Sequence, residues 1–255
     1  MRQSEISRRR DLIVNLLSSY GELSAGSLAD MLKVTVQTVR ADLRALDEGG
    51  LVRRRHGVAN LATPTENLSY QPRLAVSRAE KDRIGAAVAE LIPAGASVAM
   101  GTGTTVEACA RALARHEGLT VFTNNIHAVL ALRAAPGISL SLAGGVVRLR
   151  DLDFVGAEST EFFSRIKPDH AIYSLGGVAE NGQLLDFNMD EIRARRAIHD
   201  CARNRIIVID HTKIGRLAHY SQGLLWDAET IVCSGALPEL TAERLRAEGR
   251  SLICV

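Results

Sequence analysis

The spacing of apolar and polar positions divides the chain into a short N-terminal part and a long C-terminal part. Between Ile6 and Leu17, the residues Ile13, Leu16 and Leu17 recur as on one face of a helix, and Gly21 breaks the pattern. Ser24 stands as an N-cap before Leu28, Ala29, Met31 and Leu32, which predicts a short second helix. Lys33-Val34 makes a tight connection. Thr35 then caps a third helix with Val36, Val39, Leu43 and Leu46 along one face, ended by Gly49-Gly50. The following stretch LVRRRHGV, 51–58, is basic and apolar at both ends, and reads as a hairpin or wing. Residues 59–73, ANLATPTENLSYQPR, hold Pro64 and Pro72, small polar residues and little periodicity. They read as a linker. The expected division is 1–58, a connection at 59–75, and 76–255.

Beyond the linker the pattern changes. Ser97–Met100, Leu119–Thr123, Ile138–Ala143, His170–Leu175, Arg205–Ile209 and Thr230–Cys233 are short apolar runs. Helical patterns, including Val106–Arg115, Ile126–Ala134 and Glu191–Arg203, separate most of them. Strands alternating with helices predict an α/β domain with a mostly parallel sheet.

Composition adds limits. A hydrophobic content of 46% suits a chain with a sizeable core, and an aromatic content of 4% leaves that core to Leu, Ile, Val and Ala. A net charge of +2 decides nothing about partners. Cys109, Cys201, Cys233 and Cys254 lack zinc-site spacing and read as small buried hydrophobes of a reduced cytoplasm. The charged N-terminus has no signal-peptide core, and no apolar run is long enough to cross a bilayer. A cytoplasmic protein without metal or cofactor is expected.

The N-terminal pattern is that of a winged helix-turn-helix. Burying the stripe of the third helix turns Gln37, Thr38, Arg40, Ala41 and Arg44 outward. Gln and Arg can read base edges, and Thr suits bases or phosphates. Thr35 and the helix N-terminus can meet a phosphate, while Arg53, Arg54, Arg55 and His56 would lie along the duplex backbone. A small helical domain with a solvated basic loop is the plainer alternative.

In the C-terminal part, Gly101-Thr102-Gly103-Thr104-Thr105 joins a strand to a helix. Glycines admit close approach, Thr hydroxyls donate, and a helix N-terminus favours negative charge, so a phosphate fits. The stretch is neither a Walker A loop nor a dinucleotide fingerprint. Asn124-Asn125, Gly144-Gly145, Gly176-Gly177 and Asp210-His211-Thr212-Lys213 follow later strands. Ligands of parallel sheets bind at the carboxyl ends of strands, so these loops suggest one pocket. In it Lys213 supplies charge, Asp210 bonds a hydroxyl, and Arg148 or Arg150 closes over the anion. Each residue alone can equally be a loop residue: Asn124 and Asn125 can cap a helix, and so can Asp210.

The segment SAGSLADMLKVTVQTVRADLRALDEGGLVRRRHGVA resembles the N-terminal motif of the DeoR-type family of bacterial repressors. Val34-Thr35 replaces its Val-Ser, Ala41-Asp42-Leu43 its Arg-Asp-Leu, and Val58 a wing glycine. GTGTT, TNN, LAGG, the Gly156 region, Gly182-Gln183-Leu184-Leu185 with Glu191, and IDHTKIGR resemble the family's sensor domain. The resemblance implies a sugar-phosphate-isomerase-like fold, a phosphorylated sugar or polyol as inducer, operator DNA as partner, and a homo-oligomer. Gly101 stands where the family usually has an acid, and Cys233-Ser234-Gly235 where it commonly has Thr-Asp. Two other readings remain open at this level. One is an isomerase using Asp210, Glu191 and Lys213 for acid–base work, and the other is an architectural DNA binder whose large domain only oligomerises.

Overall fold

The computed structural model describes residues 6, 9–10, 12–14, 16–17, 20–48, 52–55, 57–61 and 70–255. The expected helix stop at Gly49-Gly50 lies outside these residues, as do His56 and 62–69. The chain divides into two units, 1–78 and 79–255.

In the first unit the residues described between 6 and 20 are helical, and Ile13, Val14 and Leu17 are buried. A short strand β1, Glu22–Ser24, leads into α1, Ala25–Leu32, where the Ser24 side chain accepts from the Ser27 amide. Lys33 closes that helix in the left-handed conformation, φ 54°, its N–H bonding back to Ala29 and Asp30. The recognition-type helix α2, Val36–Glu48, follows after two further residues. The wing is β2, Val52–Arg55, and β3, Val58–Leu61, which form an antiparallel sheet of order β1-β3-β2. Val39, Leu43, Leu46, Val52 and Ala59 complete one small core with Ile13, Leu17 and Leu28. The described residues of the stretch read as a linker belong to regular elements. Residues 59–61 belong to β3, and Tyr70–Ala75 form a helix, α3, with Tyr70 buried.

Helix α4, Arg78–Leu91, starts at the boundary and lies almost wholly in the second unit. Seven parallel strands follow: β4 (Ser97–Met100), β5 (Thr120–Thr123), β6 (Ser139–Leu142), β9 (His170–Tyr173), β12 (Asn204–Ile209), β14 (Thr230–Cys233) and β15 (Ser251–Cys254). Their order is β15-β14-β12-β9-β4-β5-β6. Alternate residues face opposite ways along a strand. Val98, Met100, Ile172, Val208 and Val232 therefore pack under α4, α5 (Thr104–Leu113) and α6 (Ile126–Leu132). Ala99, Ala171, Tyr173, Ile207, Ile209 and Ile231 pack under α7 (Ala157–Ser164), α8 (Met189–Cys201) and α9 (Glu239–Ala247). Burial on both faces explains why the strands read as continuous apolar runs.

The chain winds outward from β4 to β5 and β6, then returns to β9 on the other side of β4 and winds the opposite way. The crevice at the carboxyl ends of β4 and β9 is the place where such sheets hold ligands. Two antiparallel additions sit beside the main sheet. One is a hairpin of β7, Val146–Arg148, and β8, Asp153–Val155; the other pairs β10 (Gly177–Val178), β11 (Gln183–Asp186) and β13 (Tyr220–Leu224).

Candidate functional site

In the first unit the Thr35 hydroxyl accepts from the Thr38 amide at 3.2 Å and lies 2.8 Å from the Thr38 hydroxyl, so it caps α2. Gln37, Arg40, Ala41 and Arg44 are exposed and Thr38 is half-buried. Val36 departs from the expected stripe: in the first turn of α2 it is 38% exposed. Asp42 takes a buried place instead, 2% exposed, with the Nε atoms of Arg9 and Arg10 bonded to its carboxylate. Residue 42 thus fastens α2 to the N-terminal helical residues.

The three wing arginines divide by strand alternation. Arg54 shares the face of buried Val52 and sits opposite buried Ala59, and its Nε meets the Asp47 carboxylate of α2 at 3.3 Å. Arg53 and Arg55 occupy the other face, both exposed.

In the second unit, Gly103 precedes α5 with φ +112°, a conformation that favours glycine, and no side chain caps the helix. The first-turn amides carry the positive end of the helix. Thr104 and Thr105 are buried there, and the Thr105 hydroxyl donates to Asp210 Oδ2 at 3.3 Å. Asp210 is fully buried; Lys213 is nearly so. Lys81, on α4, is 3% exposed, with its Nζ 3.9 Å from Asp210 Oδ2. Burial by itself would raise the Asp210 carboxyl. Lys81, Lys213, the Thr212 hydroxyl and His211 outweigh it and hold the group down at about 2. Two buried lysines thus face one buried carboxylate at an uncapped helix start. An uncapped helix start with lysines beside it is a setting that favours a bound anion.

Lys81 was absent from the sequence candidates. Its signal was a charged residue on the buried stripe of α4, with Ile84, Gly85 and Val88. Gly85 lets that helix approach closely, since a Cβ there would lie 2.6 Å from the Ala108 carbonyl oxygen. Neighbouring Glu80 accepts from the Ser234 hydroxyl at 2.6 Å and pairs with His211 Nδ1 at 2.6 Å. It ties the ends of β12 and β14 to α4.

The remaining candidates separate. Gly101 sits at the β4–β9 crevice, where a Cβ would come within 3.2 Å of the Tyr173 Cβ; Thr102 is half-buried beside it. Asn125 accepts from the His127 and Ala128 amides as N-cap of α6 and donates to the Gly101 carbonyl at 3.2 Å. It supports the loop from behind. Asn124 donates to the Phe154 carbonyl at 2.8 Å, and its buried Oδ1 meets no hydrogen-bond partner among the described residues. Gly144 and Gly145 are exposed at the entry to β7. Gly176 and Gly177 are packing positions: a Cβ would fall 2.8 Å from Asp186 Oδ1 and 2.1 Å from the Arg216 carbonyl oxygen, respectively.

Arg148 is engaged elsewhere than over the Gly101–Thr105 loop. Its Nε donates to Asp153 Oδ1 at 2.9 Å, its other nitrogens meet Asp153 and Glu191, and Asp151 lies at 3.8 Å. Three carboxylates therefore engage the guanidinium, and Glu191 is spent in the same cluster. Arg150 is exposed. Next to Glu191, buried Asp186 bonds Arg195 Nη1 at 2.6 Å. Four carboxylates share two guanidiniums, which favours retention of a proton within the cluster. Burial raises Asp186 to about 7, Glu191 adds to the rise, and Arg195 opposes it. Because the folded value exceeds the ordinary carboxylate range, the native state binds the extra proton below neutrality. Asp186 therefore contributes stability in acid that is lost as pH rises through about 7. Asp186→Asn should flatten the decline in sensor-domain stability between about pH 5.5 and 8, read by urea unfolding. An unchanged slope would place the proton elsewhere.

Among the described residues, no cluster of His, Cys, Asp and Glu could hold a metal ion, and no helix is long and apolar enough to cross a membrane.

Comparison with known proteins agrees with this geometry at both ends. Residues 9–65 match the model of the DeoR-like helix-turn-helix domain, and residues 76–234 match that of the DeoR C-terminal sensor domain. The chain is 36% identical to the glycerol-3-phosphate regulon repressor of Escherichia coli K12 over 217 residues, 85% of this chain and 86% of that protein. It is 36% identical to the protein of the same name from Haemophilus influenzae over 247 residues, 97% and 96% of the two chains. A solved ribose 5-phosphate isomerase A from Methanocaldococcus jannaschii is similar at 15% identity and a TM-score of 0.38, covering 52% of each chain. With its two parts matched in sequence order, the chain belongs to the DeoR family, a DeoR-type helix-turn-helix followed by a DeoR sensor domain.

Proposed function

We propose that this chain is a DNA-binding repressor of a carbohydrate or polyol catabolic operon, released from its operator by a phosphorylated sugar or polyol such as glycerol-3-phosphate. The observation that carries the effector reading is the pair of buried lysines, Lys81 and Lys213, beside Asp210 at the uncapped start of α5. A dianionic phosphate fits that charge, and Asp210, which caps the short turn at 211–213, is assigned to a hydroxyl of the same ligand. Relatives bear the names of repressors of glycerol-3-phosphate and other regulons, which agrees with a regulator and not an enzyme. In this reading 1–58 bind DNA, 59–75 connect, and 76–255 sense. The protein works in the cytoplasm, on the nucleoid when bound, as a homo-oligomer, dimer or tetramer, because paired half-sites need paired readers.

The effector acts only to the extent that it prefers an arrangement whose DNA-binding units no longer fit the operator. Titrating an operator-bound complex with glycerol-3-phosphate and a panel of sugar phosphates tests this. Release by one of them supports the reading; indifference to all, at concentrations that saturate a thermal-shift assay, defeats it.

On the DNA side, Gln37, Thr38, Arg40 and Arg44 are assigned to bases and nearby phosphates, and Thr35, Arg53, Arg54, Arg55 and His56 to the backbone. Arg40→Ala should cost about 1–3 kcal/mol and relax preference at one base position. The double change Arg53→Ala, Arg55→Ala should weaken all sequences alike and reduce the salt slope by about 0.9 per lost phosphate contact. Arg54→Ala should do less, because Asp47 already engages that side chain. Equal salt slopes for all three proteins, by fluorescence anisotropy, would remove the outer wing face from the interface.

A further inference from the structure

The strands β14 and β15 pair in parallel with Cys233 directly opposite Cys254. Their sulfurs are 3.7 Å apart, and both thiols are free. Neighbouring strands lie about 4.7–4.9 Å apart, within the Cα separation of about 4.4–6.8 Å that a disulfide spans. The two thiols differ in access. Cys254 is exposed on the edge strand, whereas Cys233 is buried, with its S–H directed at the Gly235 carbonyl at 3.2 Å. The other two cysteines, Cys109 on α5 and Cys201 on α8, are buried.

We propose that Cys233 and Cys254 form a reversible dithiol–disulfide couple that takes up oxidising equivalents from a low-molecular-weight disulfide such as glutathione disulfide. The Cys254 thiolate attacks one sulfur of the reagent. A mixed disulfide forms, the reagent's S–S bond breaks, and one reagent thiolate leaves and takes up a proton. Cys233 then loses its proton to solvent and attacks the Cys254 sulfur, expelling the second thiolate. Two protein thiols and one small disulfide become one protein disulfide and two small thiols, with two electrons passed to the reagent. The order follows from access and acidity: burial pushes the Cys233 thiol up to about 12, so it suits the resolving step and not the first attack.

The bond would matter to the pocket because of its neighbours. Ser234, next to Cys233, donates to Glu80 and accepts from the His211 amide at 3.1 Å. Gly235 lies so close to His211 that a Cβ would come within 2.9 Å of the histidine Cβ. Pinning residue 233 to the edge strand therefore pins the loop that frames the segment carrying Asp210 and Lys213.

The test uses the full chain incubated with glutathione disulfide, quenched with an alkylating reagent under denaturing conditions, and read by intact mass and peptide mapping. The parent should lose two hydrogens, with the Cys233 and Cys254 peptides linked and the change reversed by a reducing dithiol. Cys233→Ser should stop at a glutathione adduct on Cys254, and Cys254→Ser should show neither product. Three results in the parent would overturn the proposal. These are an adduct at Cys254 without the internal bond, a Cys254–Cys254 link between two chains, and no change at all. The exposed position of Cys254 lets the serine variant fold, and unchanged Trp226 fluorescence checks this.

Discussion

Replacing Arg148 with methionine should lower the stability of the sensor domain by about 3–5 kcal/mol near neutral pH, the cost of stripping a buried charge of its partner. The magnitude follows from what is left behind. Asp153 is 0% exposed and is held by two guanidinium nitrogens, while Glu191 and Asp151 also face that group. Methionine fills much of the volume and supplies no charge. The expected pH dependence has a definite sign. Burial already raises Asp153, and Arg148 is the principal group opposing that rise. Without Arg148 the folded value climbs further above the unfolded one, so the variant recovers stability as pH falls and loses it as pH rises. Urea unfolding followed by Trp226, the only tryptophan of the chain, reports on this domain alone. A loss below about 1 kcal/mol at pH 8, a typical exposed-pair value, would show that Arg148 is not what holds the hairpin.

The second large effect belongs to Lys81→Met. Loss of a charged donor to phosphate should weaken effector binding by about 10–100-fold, the range of a charge-assisted hydrogen bond. The same change leaves buried Asp210 with one lysine fewer, so the protein should also unfold more easily. The two consequences can be separated. Adding Asp210→Asn removes the stranded carboxylate and should restore most of the stability without restoring the ligand response, a coupling that a double-mutant cycle isolates. Thermal shift with and without glycerol-3-phosphate or a sugar phosphate measures both quantities. A variant that keeps the full shift would take Lys81 out of the pocket.

The sequence was most legible where one force dominates. Six of the seven parallel strands announced themselves as apolar runs, because both faces of that sheet are covered. The caps at Ser24 and Thr35 were readable because their hydrogen bonds are local. The hairpin β7–β8 and the strands β10, β11 and β13 were not, being pieces of two to five residues, and the β11–β13 pairing depends on distant residues. Leu185, for example, pairs with Ser221. The pocket shows the same split. GTGTT and Asp210-His211-Thr212-Lys213 stood out as loop chemistry. Lys81 was hidden because a lysine on an amphipathic helix normally turns to water, and only the fold shows it turned inward. Arg148 was read as a ligand residue because a loop arginine looks available, and Glu191 through the resemblance to the family's sensor domain. That they engage each other is a tertiary fact, separated by 43 residues. Asp42 was passed over for Val36 because periodicity assigns faces by residue type, and a carboxylate joins a buried stripe only when arginines such as Arg9 and Arg10 arrive from elsewhere.

The central seam of the sheet has a bearing on how the molecule comes into being. The pairing of β4 with β9 joins Val98 to His170, a contact that closes a long loop, whereas β4–β5 and β5–β6 unite neighbours in the chain. Long-range parallel pairing is the slow part of assembly. A ribosome would release the β4–β5–β6 half well before the β9–β12–β14–β15 half had emerged to complete it. The proposed anion loop at Gly101–Thr105 opens from β4, while Asp210 and Lys213 arrive only with β12, so the newborn chain has half of the proposed site until its two windings meet. A metabolite lodged there would clasp the last-made junction, and should slow its reopening more than it hastens its formation.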